Sequence, residues 1–202
     1  CFFRPGTRSP NSDEGHFGAV TLLVGHVKQI VKGACKFEFV GKSGKVNECT
    51  IDGTNKLCSL LRQMTKGKRA DERLFSIQSR SLQARDLQHF LKRSTLTNGV
   101  YVKPKDIRTY SANITFLRAL QAIPPGTTKG AADKRILQAI DQTARRLNNT
   151  RAIARKAYIL APVLKAAKEG ALDVLPAGKP LEYVLFEILK SHASEKELST
   201  QH

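Results

Sequence analysis

The chain has 202 residues, 41% of them hydrophobic, which is enough to bury a core in one domain or two small ones and excludes wholesale disorder. Lys and Arg number 34 against 17 Asp and Glu, a net charge of +17 that points to a polyanionic partner, nucleic acid ahead of an anionic membrane surface. The longest apolar runs, such as Ala157 to Val163, fall far short of the roughly 20 residues a membrane-crossing helix needs.

Cys1 to Pro10 carries no initiator methionine and does not read as a secretory signal, so the sequence reads as a piece that begins inside a longer protein. The four cysteines, Cys1, Cys35, Cys49 and Cys58, form no CxxC pair, and the histidines stand at unrelated spacings. That argues against a zinc site, and for a reduced, intracellular chain in place of a disulfide scaffold.

In chain order, the first 18 residues are rich in Gly, Pro, Ser and charge and read as an irregular leader. Three strand-like runs follow: the apolar, β-branched Val20 to Ile30, the alternating Cys35 to Val40, and Val46 to Ile51. Gly41 to Lys45 separates the last two with the glycines and serine of a hairpin turn. After Asp52 the period changes. Leu57, Leu60, Leu61 and Met64 form a helical stripe, and Leu87, Phe90 and Leu91 suggest a second helix. Pro104 suits the first turn of a third, which carries Ile107, Tyr110, Ile114 and Leu117 on one side and stops at Pro124-Pro125-Gly126. A fourth runs from about Ala131 to Leu147, with Ile136, Ile140, Ala144 and Leu147 inward. Shorter helices are expected at Arg151–Leu160, Pro162–Lys168 (ended by Gly170) and Leu181–Ser191, before a polar, frayed tail over 193–202. The expected class is α+β, mostly α: a small antiparallel sheet with a hairpin over about 20–51, then a helical body, without internal repeats.

Three segments could carry chemistry. The hairpin Gly41-Lys42-Ser43-Gly44-Lys45 places a lysine where it can reach a phosphate. It resembles a phosphate-binding loop only superficially, because the G-x-x-x-x-G-K-[ST] spacing is missing and two strands flank it. Lys103 to Tyr110 opens a helix whose free N–H groups favour an anion, and Arg108, one turn in, has the planar fork for bidentate phosphate contact. Leu147 to Tyr158 begins with an Asn148-Asn149-Thr150 turn, with Thr150 as N-cap, and ends on a tyrosine beside Arg151, Arg155 and Lys156. Each segment also has an ordinary reading, as a solvated turn, a charged helix start and a packed tyrosine. Together they place a phenol among cations, which is what a tyrosine nucleophile toward a phosphodiester requires.

These residues resemble the type IB DNA topoisomerases, in particular the compact poxvirus-like and bacterial-like branch. The resemblance rests on Lys105-Asp106-Ile107-Arg108-Thr109-Tyr110 continuing to Leu117, on Arg155-Lys156-Ala157-Tyr158, and on the Gly41–Lys45 hairpin. Phe17 to Leu22 with Gly25-His26-Val27, Phe3-Arg4-Pro5-Gly6, and Leu172-Asp173-Val174 with the last helix extend it, in order, over essentially the whole chain. It implies the tyrosine recombinase/type IB topoisomerase catalytic fold and a catalytic domain over 1–192, with 193–202 as a polar tail. It also implies the absence of the family's smaller N-terminal clamp domain, hence weakened DNA affinity, and leaves open whether Arg4, three residues from the chain end, is ordered without DNA.

The implied activity is relaxation of supercoiled duplex DNA without ATP, metal or other cofactor. Tyr158 would be the nucleophile, forming a 3′-phosphotyrosyl link and freeing a 5′-hydroxyl. Arg4 and Arg108 would hold the non-bridging phosphate oxygens. Lys42 would be the general acid and Lys105 its assistant. Asn149 stands where poxviral and eukaryotic members carry histidine and bacterial-like members asparagine, and would donate to a phosphate oxygen. Arg151 replaces the proline that usually follows the threonine. The implied partner is duplex DNA, bound by a monomer with no small-molecule substrate and no membrane, in a reducing compartment where DNA is present. The rivals are a tyrosine recombinase, which typically has a histidine near the position of Lys105 and works as four protomers, and a non-enzymatic basic DNA-binding module.

Overall fold

The computed structural model describes residues 2–6, 16–31, 34–52, 56–78, 80–94, 100–174 and 178–200. The chain divides into two compact units, Cys1–Lys105 and Asp106–His202.

The first unit is built on a three-stranded antiparallel sheet, β1 (Val27–Val31), β2 (Ala34–Val40) and β3 (Val46–Ile51), in that spatial order. β2 alternates as the sequence predicts, with Cys35, Phe37 and Phe39 buried. It pairs β3 in continuous register from Cys35–Ile51 to Val40–Val46. The long strand expected over Val20–Ile30 is not formed. Only Val27 onward is strand, and Ala19–Thr21 and Val24–His26 are single 3₁₀ turns. Local side-chain bonds outcompete the ladder there. Gly18 N–H donates to Thr21 Oγ1 at 2.8 Å, and Leu23 N–H donates to His26 Nδ1 at 3.0 Å. The apolar content of the run still serves the core, since Val20 and Leu22 are buried.

The helix α1 (Lys56–Thr65) lies where the leucine stripe predicts, but the stripe faces differently. Cys58 and Leu61 are buried, whereas Leu57 and Leu60 are exposed. Cys58 and Leu61 join Leu22, Cys35, Phe37, Phe39 and Leu74 in one cluster. Cys35 and Cys58 are free thiols sealed in that core. Cys49 lies half-buried on the edge strand β3. A two-residue hairpin, β4 (Ser76–Ile77) and β5 (Arg80–Ser81), leads to α2 (Ala84–Arg93), on which Leu87 and Leu91 are half-buried but Phe90 is exposed.

The second unit is helical. It comprises α3 (Pro104–Ala122, its first two residues counted with the first unit), α4 (Lys129–Leu147), α5 (Arg151–Ala157), α6 (Ala161–Lys168) and α7 (Leu181–Thr200). Ile136, Ile140, Ala144 and Leu147 of α4 are buried as the periodicity predicts. On α3 the expected stripe holds only in its second half. Ile114 and Leu117 are buried, Ile107 and Tyr110 are exposed, and Arg108 takes the inward position. Arg135 of α4, also buried, donates to the carbonyls of Leu120, Ile123 and Leu172 and pairs with Asp173. It thereby satisfies carbonyls that the end of α3 leaves without helical partners. The last helix continues to Thr200, past the tail expected from 193. Among the described residues, no helix is long and apolar enough to cross a membrane.

Candidate active site

The second unit brings Arg108 and Tyr158 together. The Arg108 Cζ lies 5.2 Å from the centre of the Tyr158 ring, and the two residues are 5% and 8% exposed. Arg108 Nη2 donates to Leu147 O at 3.3 Å, so the guanidinium of α3 is tied to the last residue of α4. Just beyond Leu147 the chain turns. Asn148 caps α4 in the left-handed region (φ 54°, ψ 44°), and Asn149 N–H returns to Ala144 O at 2.9 Å. Asn149 therefore sits on the same turn whose carbonyl holds Arg108, and its Nδ2 is buried.

The helix carrying the tyrosine starts as the sequence predicts. Thr150 is its N-cap and accepts from Ile153 N–H at 3.3 Å. The departure at Arg151 does not spoil this turn. Arg151 occupies the first helical position, and its Nε and Nη2 each lie 2.6 Å from the Asp141 carboxylate of α4. That pairing holds the Asp141 carboxyl below the ordinary carboxylate range. The helix was expected to reach Leu160 but ends at Ala157, leaving Tyr158 as its C-cap at φ −131°, ψ −37°.

Asn113 explains the early end. It is fully buried on α3, its Nδ2 donates to Tyr158 O at 3.0 Å and Thr109 O at 2.7 Å, and its Oδ1 accepts from Leu160 N–H at 3.0 Å. Both backbone bonds replace helical ones, so α3 grips the chain on either side of the tyrosine peptide. Pro162, in the first turn of α6, favours a fresh helix start there. The sequence reading did not single out Asn113. Its signal was an amide inside the apolar run Ala112-Asn113-Ile114, five residues beyond Arg108.

Tyr110, the tyrosine of α3, is held above the ordinary phenol range by partial burial and then by Glu182 of α7. It keeps its proton more firmly than a free phenol.

The remaining sequence candidates belong to the first unit. Lys42 is exposed at the tip of the β2–β3 hairpin, in a one-turn 3₁₀ segment, Lys42–Gly44, closed by Gly41 N–H to Lys45 O at 2.8 Å. Arg4 lies on a segment held by backbone hydrogen bonds. Its carbonyl accepts from Ala19 N–H at 2.8 Å, and Pro5 O accepts from Val20 N–H at 2.9 Å. Gly6 (φ 86°) and Gly18 cross so closely that a β-carbon on Gly18 would collide with the Gly6 backbone. The glycine of the Arg4-Pro5-Gly6 element is thus required by that crossing and by its positive φ. Lys105 is exposed in the first turn of α3, one turn before Arg108.

Chemically, the second unit offers a phenol beside a guanidinium that cannot release its proton. The first offers exposed amines that can.

Residues 1–169 match the family model for the catalytic core of eukaryotic DNA topoisomerase I. The chain belongs to this family. It is 31% identical over 155 residues to DNA topoisomerase 1 of rabbit fibroma virus (strain Kasza), covering 72% of this chain and 44% of that protein. It is 26% identical over 195 residues to DNA topoisomerase 1B of Acanthamoeba polyphaga mimivirus, covering 89% and 55%. To DNA topoisomerase 1B of vaccinia virus (strain Copenhagen) it is 26% identical over 182 residues, covering 86% and 52%. The chain spans about half the length of these relatives. The mostly helical body with a small antiparallel sheet is the class that membership in the topoisomerase I core family leads one to expect.

Proposed function

We propose that this chain is the catalytic region of a type IB DNA topoisomerase, which relaxes supercoiled duplex DNA by two opposed transesterifications. The Tyr158 Oη, giving up its proton to water, attacks the scissile phosphorus, the bond to the 5′-oxygen breaks, and a 3′-phosphotyrosyl link forms. Lys42 gives its proton to the departing 5′-oxygen, and Lys105 assists. After strand rotation the 5′-hydroxyl attacks the phosphotyrosine, returns its proton to Lys42, and frees Tyr158, whose Oη takes a proton back from water. One phosphodiester bond is exchanged for another at each step, so no ATP is consumed. Arg108 and Arg4 bind the non-bridging oxygens and offset the charge that builds on them, and Asn149 donates a neutral hydrogen bond. Arginine suits the clamp because it stays charged, and lysine suits the acid because it can release a proton.

The observation that carries this reading is the Arg108 guanidinium held 5.2 Å from the Tyr158 ring inside the second unit. A partner of duplex DNA, bound by one protomer in a DNA-containing intracellular compartment, follows from the same reading and from the +17 charge.

The test is relaxation of a supercoiled plasmid in EDTA without ATP, with a denaturing gel for protein–DNA adducts, comparing the chain with Tyr158→Phe. Relaxation and an adduct, both lost in the variant, are expected. An adduct without relaxation would keep the nucleophile and favour recombinase-type strand exchange or a need for further chain. Intact DNA binding with neither signal would overturn the catalytic reading in favour of a binding module.

A further inference from the structure

The turn that carries Lys42 is an unfavourable one. Ser43 (φ 64°, ψ 33°) and Gly44 (φ 69°) follow each other in the left-handed region, and Ser43 has a β-carbon that disfavours it. Such a turn persists where bonds from outside hold it. Gly41 N–H to Lys45 O closes its base, and Asn47 Nδ2 donates to the same Lys45 carbonyl at 3.0 Å. The tip has an external anchor. Gly44 N–H donates to the Nε2 of His16, 28 residues earlier, at 3.2 Å.

His16 is placed to do this by its neighbours. Phe17 N–H donates to Val40 O at 2.8 Å, joining this segment to the end of β2. The Phe17 ring stacks edge-on against His26 with centroids 4.3 Å apart. Gly41 packs under the segment, where a β-carbon would lie 3.5 Å from Phe17 O and collide with Asn47 Nδ2.

We propose that His16 is a positioning residue for Lys42: its neutral imidazole holds the Gly44 amide and fixes the turn that presents the lysine, and protonation of His16 releases that turn. The role in catalysis rests on the reading of Lys42 as general acid. Accepting through Nε2 requires the neutral tautomer with its proton on Nδ1, because an imidazolium has no acceptor. The charged groups on the elements bonded to this segment include Lys42 and Lys45 on the turn, Lys36 and Glu38 on β2, and Arg4 on the segment paired with Gly18–Val20. The second imidazole nearby, His26 beyond Phe17, already uses its Nδ1 to accept from Leu23 N–H and does not substitute.

The experiment has two arms. In the first, the Gly44 amide and the ring protons of His16 and His26 are followed by NMR during an acid titration of the chain alone. The Gly44 amide should move with the His16 ring. It should stay still in His16→Ala. A Gly44 amide that ignores the His16 titration, or follows His26, would overturn the anchor. In the second arm, single-turnover cleavage of a duplex oligonucleotide is measured against pH. His16→Ala should be about 3- to 10-fold slower, the loss expected from one hydrogen bond. His16→Gln, an acceptor that does not titrate, should restore most of the rate and flatten the acid side of the profile.

The same variants are then tested on a substrate whose 5′-bridging oxygen is replaced by sulfur. A thiolate leaves without a proton, so the His16→Ala defect should vanish. An equal defect on both substrates would overturn any action through Lys42. If the parent chain forms no adduct, the functional reading fails and takes the catalytic role with it. The Gly44 titration then still decides whether His16 holds the turn.

Discussion

The two units hold the side chains proposed for catalysis in opposite ways. In the second, Arg108 and Tyr158 are nearly sealed from solvent and tied down by Leu147 and Asn113. In the first, Lys42 stands exposed on a tight turn that backbone bonds and one imidazole secure. The difference suits the proposed roles. A nucleophile and its phosphate clamp gain from fixed geometry and a low dielectric, which buried hydrogen bonds supply. An amine that must be charged before the reaction and neutral after it cannot sit in an apolar core, where the charged form is penalised.

This contrast can be broken most directly by alanine at each cation. Lys42→Ala should slow cleavage by roughly 10²–10⁴-fold. Its stability should stay within about 0.5 kcal/mol of the parent, as for other exposed substitutions. Arg108→Ala should lose cleavage to at least a comparable degree and also destabilise the second unit, by about 1–3 kcal/mol, because Leu147 O and the ring face are left without their partner. Single-turnover kinetics and denaturant unfolding separate the two. Equal stability in both variants would remove the distinction between a sealed and an exposed half.

Asn113 sharpens the contrast from within the second unit. Asn113→Ala removes the bonds to Tyr158 O and Leu160 N–H, with an expected cost of about 1–3 kcal/mol in a buried site. Cleavage should fall by roughly 10- to 100-fold, mainly in the rate of the chemical step and less in DNA affinity. Asn113→Asp keeps the acceptor for Leu160 and loses the donor to Tyr158, so it should stay defective. Wild-type rates in both variants would mean that packing alone holds the tyrosine.

A smaller effect separates the units by pH. Burial first, then repulsion from Lys28 and Arg73, pushes the His26 imidazole below the ordinary histidine range. A lowered folded value means the unfolded chain takes the proton first. The stabilisation from neutral His26 is therefore complete above the ordinary histidine range and drains away as pH falls toward the lower folded value. Hydrogen exchange compared at about pH 7.5 and about pH 5.5 should show protection falling in the sheet unit, and less so in His26→Gln. A uniform fall across both units would assign the acid sensitivity elsewhere.

The smallest change is expected at Arg151, paired with Asp141 but 54% exposed on its side chain. Arg151→Ala should cost at most about 1 kcal/mol, diminishing in high salt. A larger loss, measured by denaturant unfolding, would mean that the pair and not the Thr150 cap secures the start of α5.

Much of this architecture was legible from periodicity and turn residues. The alternation of β2, the glycine-serine hairpin, Pro104 in the first turn of α3, Thr150 as N-cap and the inward face of α4 are local signals, and each appears where local chemistry places it. The failures share one cause. Val20–Ile30 has strand composition, but Thr21 and His26 satisfy its backbone by themselves. Leu57 and Leu60 lie on a helical stripe, yet the surface α1 meets selects Cys58 and Leu61. The expectation for α5 to run on to Leu160 failed because Asn113, far away in sequence, claims the backbone around Tyr158.

By itself the sequence determined the excess of positive charge, the order of sheet and helices, and the tyrosine, arginines and lysines proposed to form a phosphoryl-transfer site. Residue types carry charge, acidity and local backbone preference with them. Only the tertiary structure decided that Arg108 faces inward against Tyr158, that Asn113 ends the helix at the nucleophile, and that His16 holds the turn beside Lys42. Those are contacts between residues 28 to 50 positions apart. No local preference encodes them, because they arise when buried polar groups are forced to find partners among whatever the fold has brought near.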